Sequence, residues 1–295
     1  MVSCMADDNT GYRIDKVQAR RAFERAASTY DAAAALQYEI GARLIERLDL
    51  IRMQPARILD LGAGTGEFTD VLLKRYRKAD VIALDIAHSM LKRVQSRGGW
   101  FRKAACVCAD SESLPFTDNS FDFIFSNLML QWCTDLEQAF IELRRVLAPG
   151  GLLLFTTLGP DTLSELRASW EAVDGYTHTN TFIDMHDVGD ALVQAQWAEP
   201  VMDTERITVT YPDVRTLMCD LKQIGAHNVT LGRPLGLTGR HRLQRVTAAY
   251  EQFRVDGLLP ASYEVVYGHA WSPDAGVNEV PLASLQRPGV MPAND

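Results

Sequence analysis

One ten-residue stretch, 57–66, constrains the fold of this chain more than any other. It reads RILDLGAGTG, a short apolar run around Asp60 followed by three glycines at every second position, Gly62, Gly64 and Gly66. The following residues, EFTDVLLKRY, carry apolar side chains at roughly helical spacing. Glycine tolerates positive φ and lets a ligand approach the backbone closely. The stretch therefore predicts a buried strand, a tight loop and a helix, with a ligand site outside the carboxyl end of the strand.

The same alternation of strand and helix continues to about residue 160. Strands are predicted over 57–61, 81–85, 104–109, 121–126 and 152–158, with helices between them. This order predicts a parallel sheet with helices on both faces. A helical pattern precedes the sheet over 15–50, and helical patterns near 161–173, 185–195, 213–225 and 240–255 follow it. Two late strand-like runs lie at 206–211 and 263–270.

Composition narrows the class of protein. The chain has 30 Lys and Arg against 38 Asp and Glu, a net charge of −8, which disfavours general nucleic-acid binding because phosphate neutralisation needs a basic surface. The five cysteines include no C-x-x-C pair, which favours a reducing compartment. No apolar run approaches the ~20 residues that span a bilayer. We therefore expect a cytoplasmic protein with no nucleic-acid or membrane partner.

The glycine spacing differs from the G-x-G-x-x-G of dinucleotide-binding proteins. With Asp60 two residues before the first glycine, it resembles motif I of class I S-adenosylmethionine-dependent methyltransferases. A glycine loop can also be a plain turn, but the later elements follow that family's order. The resemblance implies a Rossmann-like α/β fold: a seven-stranded, mostly parallel sheet with an antiparallel edge strand, helices on both faces, an N-terminal helical lid and a helical insertion after strand 5.

The resemblance also implies which residues hold the cofactor. Asp85 ends the second strand, where a carboxylate accepts both ribose hydroxyls, although it could equally cap the next helix. Asp110 follows the third strand, where an acidic residue accepts the adenine amino group, although an Asx turn is the alternative. The complete predicted cofactor set is Asp60, Gly62, Ala63, Gly64, Asp85, Ile86, Asp110, Ser111 and Asn127.

Longer stretches resemble one particular family, the malonyl-acyl-carrier-protein O-methyltransferases of biotin synthesis. The matching pieces are QARRAFERAASTYD (18–31), SNLMLQWCTDLEQAFIELRRVLAPGG (126–151), LLFTTLGPDTLSELRASWEAVD (153–174) and LKQIGAHNVTLGR (221–233). This resemblance implies methyl transfer from S-adenosylmethionine to the free carboxylate of a malonyl thioester on acyl carrier protein. The methyl ester then serves as the primer for pimeloyl and biotin synthesis.

A carboxylate is already ionised at neutral pH, so this reaction needs no general base. The enzyme must align the carboxylate with the methyl donor and exclude water. Arg145 matches an arginine that the family is expected to aim at the substrate carboxylate, with Arg144 as its rival. Tyr30, in the predicted lid, is expected to bind the same carboxylate or close over the cofactor, unless it is only a packed aromatic. No metal site is expected, because the six histidines show no ligand spacing.

Carrier proteins are generally acidic, so docking one on this acidic chain requires a local basic patch. Two sets are candidates, although either could be a solvated helix face: Lys16, Arg20, Arg21 and Arg25, or Arg240, Arg242 and Arg245. Gln131 and Trp132 follow the fourth strand, where acceptor-facing residues lie in this fold. Lys222 belongs to a matching stretch whose role the sequence leaves open.

Three other functions share parts of this pattern. The stretch FTTLGPDTLSELR also resembles methyltransferase-like assembly factors of respiratory complex I, of the arginine hydroxylase type. A nucleoside-binding scaffold without turnover would keep the same glycine loop. A methyltransferase acting on small molecules such as quinone precursors would keep it as well.

The predicted domain boundaries follow these patterns. We expect a flexible N-terminus (1–12), one methyltransferase domain (13–272) and a disordered tail (273–295). Within the domain we expect a lid (13–54), a cofactor-binding core (55–159), an acceptor insertion (160–200), and late helices and strands (201–272).

Overall fold

The computed structural model describes residues 14–97, 102–230 and 239–274. The predicted flexible N-terminus and nearly all of the predicted tail lie outside these ranges. Residues 231–233 of the last matching stretch also lie outside them.

Seven strands form a single sheet in the order β3-β2-β1-β4-β5-β7-β6. They are β1 (Arg57–Leu61), β2 (Asp80–Asp85), β3 (Ala105–Cys108), β4 (Phe121–Ser126), β5 (Leu147–Leu158), β6 (Ala198–Tyr211) and β7 (Leu259–Trp271). The strands β1 to β5 pair in parallel, and β7 pairs antiparallel with both β5 and β6. The predicted fold is confirmed, with one difference: the antiparallel strand β7 lies inside β6, so the edge strand runs in the direction of β1 to β5.

Ten α-helices of the described residues surround the sheet. They are α1 (Lys16–Ala26), α2 (Tyr30–Ala33), α3 (Ala35–Arg47), α4 (Glu67–Arg75), α5 (His88–Arg97), α6 (Leu136–Val146), α7 (Ser164–Glu171), α8 (Met185–Gln194), α9 (Val214–Gln223) and α10 (Arg240–Tyr250).

The central strand β1 shows why the sheet is buried on both faces. Ile58, Leu59 and Leu61 are fully buried, and successive side chains of a strand point to opposite faces. Ile58 belongs to the apolar cluster that includes α3 and α10, whereas Leu59 belongs to the cluster that includes α6 and α8. The continuous apolar run is therefore typical of a parallel sheet covered on both sides.

The predicted N-terminal helical segment 15–50 is interrupted. It forms α1, the single turn α2, α3 and a 3-10 turn at Leu48–Leu50. No glycine or proline marks these breaks. Tertiary contacts explain the interruptions instead, because Asp31 of α2 accepts hydrogen bonds from Thr65 of the glycine loop and from Tyr38 of α3.

Arg145 lies near the end of α6 and holds the loop that leads into β4. Its Nε and Nη2 donate to the Glu142 carboxylate at 2.8 and 2.9 Å. Its Nη1 donates to the Phe116 carbonyl and the Asp118 carboxylate at 2.8 and 2.9 Å, and Nη2 also donates to the Leu114 carbonyl at 3.1 Å. All five N–H donors of the guanidinium are therefore used within this loop and helix.

This arrangement corrects the predicted contact between Arg145 and the substrate. Its contacts lie where β4 and β5 begin, at Phe121 and Leu147, whereas the ligand sites of such sheets lie where the strands end. Its rival Arg144 has a buried Nε with no hydrogen-bond partner among the described residues, and it too lies away from the cavity described below. We therefore assign Arg145 a structural role.

We expect Arg145→Met to lower the free energy of unfolding by roughly 2 kcal/mol, because it removes several charge-assisted hydrogen bonds from a partly exposed site. Arg144→Met is the matched control, because the described residues give its guanidinium no ion pair. Thermal and urea unfolding followed by circular dichroism would measure both variants. Equal stability of the two would contradict the structural role.

Candidate functional site

A cavity of about 1000 Å³ opens at the carboxyl ends of β1 to β5. One half of its wall is the glycine loop with the ends of β2, β3 and β4. The other half is formed by α7, residues 178–182, α9 and residues 224–228. The helices α1 and α2 lie along it as a lid. The cavity thus joins seven of the nine predicted cofactor residues to a second half from late parts of the chain, which we call the acceptor half after its predicted role.

The glycine loop needs glycine for two different reasons. Gly62 has a φ of +73°, and a Cβ there would lie 2.4 Å from Met129 Cγ. Gly64 has a φ of +53° but faces open space, with nothing within 4 Å of a Cβ. The N–H groups of Gly62 and Ala63 donate to the Leu84 carbonyl at 2.8 and 3.0 Å. The loop is therefore fixed to β2 and presents its backbone to the cavity.

Asp60 is a buried carboxylate beneath this loop. It is 2% exposed and accepts a hydrogen bond from the Thr69 hydroxyl. Burial, and to a lesser extent the charge of Asp85, raises the pKa of Asp60 to about 7, although the Thr69 bond opposes this. Asp60 and Ala63 line a small adjoining cavity of about 30 Å³, whose wall also includes Gln37.

Asp85 joins the glycine loop to the turn before α5. Its Oδ2 accepts from the N–H of Gly64 at 2.9 Å, and its Oδ1 accepts from the N–H of Ala87 at 2.8 Å, just before α5. The carboxylate also lines the cavity, beside Ile86. Burial raises the pKa of Asp85 to about 6, against the two backbone hydrogen bonds, which lower it.

Asp110 forms an Asx turn at the end of β3 and also faces the cavity. Its Oδ1 accepts from the N–H of Glu112 at 3.0 Å in an Asx turn, and it lines the cavity together with Ser111. Its Oδ2 accepts from Lys16 Nζ at 2.6 Å, and Lys16 also lies 2.7 Å from Glu112. Burial lowers the pKa of Lys16, but the two carboxylates outweigh this and raise it. The first turn of the lid is thereby bound to the end of β3.

Tyr30 begins α2 of the lid, Asn127 follows β4, and both line the two cavities. The Asn127 amide donates to the Gln37 carbonyl at 3.0 Å, and its side-chain oxygen accepts from the Thr156 hydroxyl at 2.7 Å. Burial raises the pKa of the Tyr30 hydroxyl.

Asp31, the neighbour of Tyr30, was not predicted from sequence. Its carboxylate accepts from Thr65 Oγ1 at 2.5 Å, Tyr38 OH at 2.7 Å and Arg97 Nη2 at 2.8 Å. These partners come from the glycine loop, α3 and α5. No local pattern could reveal this fastening of the lid, because the partners are scattered along the chain.

The acceptor half contains a second group that the sequence did not reveal. The His178 ring stacks on Trp170 with centroids 3.6 Å apart, and its Nε2–H donates to Asp174 Oδ1 at 2.7 Å. Asp174 falls at the end of a matching stretch and His178 beyond it. The four-residue spacing of Asp174 and His178 does not predict that they meet, because the segment between α7 and α8 is not helical.

The remaining predicted acceptor residues also line the cavity. Trp132 packs edge-to-face on Phe23 of the lid, with ring centroids 5.0 Å apart. Gln131 donates to the Leu128 carbonyl at 2.7 Å. Lys222 lies at the end of α9 with its side chain exposed.

Within 14–97, 102–230 and 239–274, no three His, Cys, Asp or Glu residues are arranged to hold a metal ion. Among the helices described above, none combines the length and apolar character needed to span a membrane.

Solved structures with a similar fold include Haemonchus contortus phosphoethanolamine N-methyltransferase 2 in complex with S-adenosyl-L-methionine. That similarity has a TM-score of 0.53 at 16% identity, covering 85% of this chain and 57% of that one. The [4+2]-cyclase SpnF is similar with a TM-score of 0.51 at 20% identity, covering 80% and 81%. At such identities the similarity shows the fold alone, and a cyclase among these proteins indicates that the fold serves more than one reaction.

Comparison with known sequences identifies the family more closely than similarity of fold does. A family model for a methyltransferase domain matches residues 59–155. The chain is 55% identical over 271 residues to a malonyl-[acyl-carrier protein] O-methyltransferase of Gallionella capsiferriformans, covering 90% of this chain and 93% of that protein. A relative of the same name from Methylovorus sp. is 54% identical over 273 residues, covering 90% and 92%. With this identity along nearly its whole length, the chain belongs to the malonyl-[acyl-carrier protein] O-methyltransferase family.

Proposed function

We propose that this methyltransferase transfers a methyl group from S-adenosylmethionine to the free carboxylate of a malonyl group carried on acyl carrier protein. The observation that carries the proposal is the large cavity, whose sheet half holds seven of the nine predicted cofactor residues and whose other half is built in part by stretches that match the family. The step in biotin synthesis that the resemblance implies belongs to the same proposal.

The residues of the sheet half fit a cofactor with a positively charged methionine end. Gln37 Oε1 is buried and has no hydrogen-bond partner among the described residues, although Gln37 lines both cavities. Asp60 and Asp85 place two buried carboxylates on the same side. This set of acceptors, with few donors, suits an ammonium and a sulfonium, because buried carboxylates favour a cationic partner.

The proposed contacts follow from this arrangement. Asp85 would hold the ribose hydroxyls, Asp110 and Ser111 the adenine, and the glycine loop with Gln37 and Asn127 the methionine end. When bound, S-adenosylmethionine supplies an electrophilic methyl group, whose bond to sulfur breaks as a carboxylate oxygen forms the new bond to carbon. The chain contributes alignment and exclusion of water, which Tyr30 of the lid and Trp132, packed against the lid, support by lining the cavity.

Two exposed cations at the cavity mouth suit an acidic carrier protein. Arg25 of α1 and Lys222 of α9 both line the cavity, and neither forms an ion pair with another described residue. The lid and α9 are joined where the hydroxyl of Thr29, which lies between α1 and α2, donates to the Gln223 carbonyl at 2.9 Å. We place the docking of the carrier's phosphopantetheine arm here, between the lid and α9.

A cytoplasmic location stays a prediction from the cysteine pattern.

The central test is methyl transfer from labelled S-adenosylmethionine to purified malonyl-carrier protein, with acetyl-carrier protein as the control that lacks a free carboxylate. We expect base-labile label on the malonyl form only, because a methyl ester hydrolyses in base. Tight cofactor binding with neither form labelled would contradict the proposal. The hydroxylase or scaffold reading would then replace it.

The raised pKa values of Asp60 and Asp85 predict how cofactor binding depends on pH. Below about pH 6 both carboxylates become protonated, so they attract the positively charged methionine end less. We expect the dissociation constant for S-adenosylmethionine, measured by calorimetry, to rise as pH falls from 8 to 5.5, by at most about tenfold per unit for each linked proton.

Asp60→Asn should weaken binding at pH 8 and flatten this dependence. The exposed Asp187→Asn on α8 is the matched control and should behave as the unsubstituted protein. A dissociation constant that stays constant from pH 8 to 5.5 would rule out that protonation of these carboxylates is linked to cofactor binding.

The mouth cations predict a charge-dependent interaction with the carrier protein. We expect Arg25→Glu and Lys222→Glu each to lower kcat/KM for malonyl-carrier protein about tenfold at low salt, and to weaken its dependence on salt. Arg52→Glu, an exposed arginine that does not line the cavity, is the control. An unchanged kcat/KM in both mouth variants would place carrier docking elsewhere.

A further inference from the structure

The segment between α7 and α8 holds an imidazole fixed on two sides. The His178 ring lies parallel to Trp170, at an interplanar angle of 10°, and its Nε2–H donates to Asp174. The side chains of His178 and Asp174 are 8% and 12% exposed. His178 Nδ1 forms no hydrogen bond with a described residue, and the side chain lines the acceptor half of the cavity.

Asp174 is held as an anion beside this ring. Burial alone would raise the pKa of the Asp174 carboxyl, but hydrogen bonds from His178 and from the N–H of Tyr176 lower it. Arg242 Nη1 lies 3.8 Å from its second oxygen. The carboxylate and the stacked indole ring together fix the orientation of the imidazole. The other titratable groups of this half of the cavity wall are Cys219, Lys222, His227 and Tyr263.

The other cations along the cavity are placed less well to bind a carboxylate inside it. Lys16 is held by Asp110 and Glu112, and Arg25 and Lys222 are exposed at the mouth. Arg145, the arginine favoured from sequence, lies outside the cavity. A carboxylate that leaves water requires a charged hydrogen-bond partner, because its burial is otherwise very costly. Among the described cavity residues, His178 combines a buried side chain with a hydrogen bond to a carboxylate that orients its ring.

We propose that the Asp174–His178 pair binds the free carboxylate of the malonyl group, with Nδ1–H of the imidazolium donating to one oxygen and leaving the other free to accept the methyl group. This inference rests on the proposed function. Asp174 is a positioning residue, because it orients the ring and stabilises its charge. After transfer the ester is neutral, so the ionic part of the interaction is lost and the product is held less tightly than the substrate.

The test compares His178→Gln and Asp174→Asn with His186→Gln, an exposed histidine of α8 that does not line the cavity. We expect His178→Gln to raise KM for malonyl-carrier protein by about 10- to 150-fold, the range for losing a charged hydrogen bond. The dissociation constant for S-adenosylmethionine should stay within about twofold, which shows that the variant is folded. The control should match the unsubstituted enzyme.

The separate effects on KM and kcat distinguish this role from a packing role. Asp174→Asn should raise KM for malonyl-carrier protein in the same direction as His178→Gln, because the ring loses its anionic partner, while kcat changes less. A loss of thermal stability with KM unchanged would indicate packing alone and contradict the proposal.

The two proposals can fail separately. If the unsubstituted enzyme labels malonyl-carrier protein but His178→Gln keeps the same KM, the inference about the pair is overturned. If the unsubstituted enzyme does not label malonyl-carrier protein at all, the proposed function itself fails.

Discussion

The parallel pairing of β1 with β2 on one side and β4 on the other is the interaction on which the rest of the structure depends. Leu61 pairs with Leu84 and with Ser126, so these three strands end at the same level. Residues that immediately follow, or end, these strands are thereby brought to one edge of the sheet: Gly62, Asp85 and Asn127. A shift of register by one residue would also exchange the two buried faces of β1, which makes the pairing strongly specified.

Buried negative charge is the second constraint. Asp60 and Asp85 are kept in the protein interior with only hydroxyl and backbone donors, and their raised pKa values show the cost. A cationic cofactor offsets this cost, so the site is electrostatically prepared for one before it binds. Such carboxylates destabilise the free protein as pH rises through their pKa values, because the folded state holds protons that the unfolded state releases. Stability and function are thus opposed at this position.

In our proposal, two groups divide the work that the sequence assigned to one arginine. Arg145 donates all five of its side-chain N–H groups to α6 and to the loop before β4, at the opposite edge of the sheet. The imidazole of His178 lies in the cavity and is oriented by Asp174. An imidazolium also suits this chemistry, because a single N–H binds one carboxylate oxygen, whereas a guanidinium fork tends to bind both.

The sequence by itself determined the sheet core and the cofactor half of the site. The apolar strands and the glycine loop are local patterns, and parallel pairing places the residues after each strand at one edge without further information. The sequence could not determine where the lid helices break, which residues Arg145 contacts, or that Asp174 and His178 form a pair. Each depends on side chains that meet through folding, such as Asp31 with Thr65 or His178 with Trp170. Periodicity reports only which face of an element is buried, so the partners of a polar side chain were decided by the tertiary structure alone.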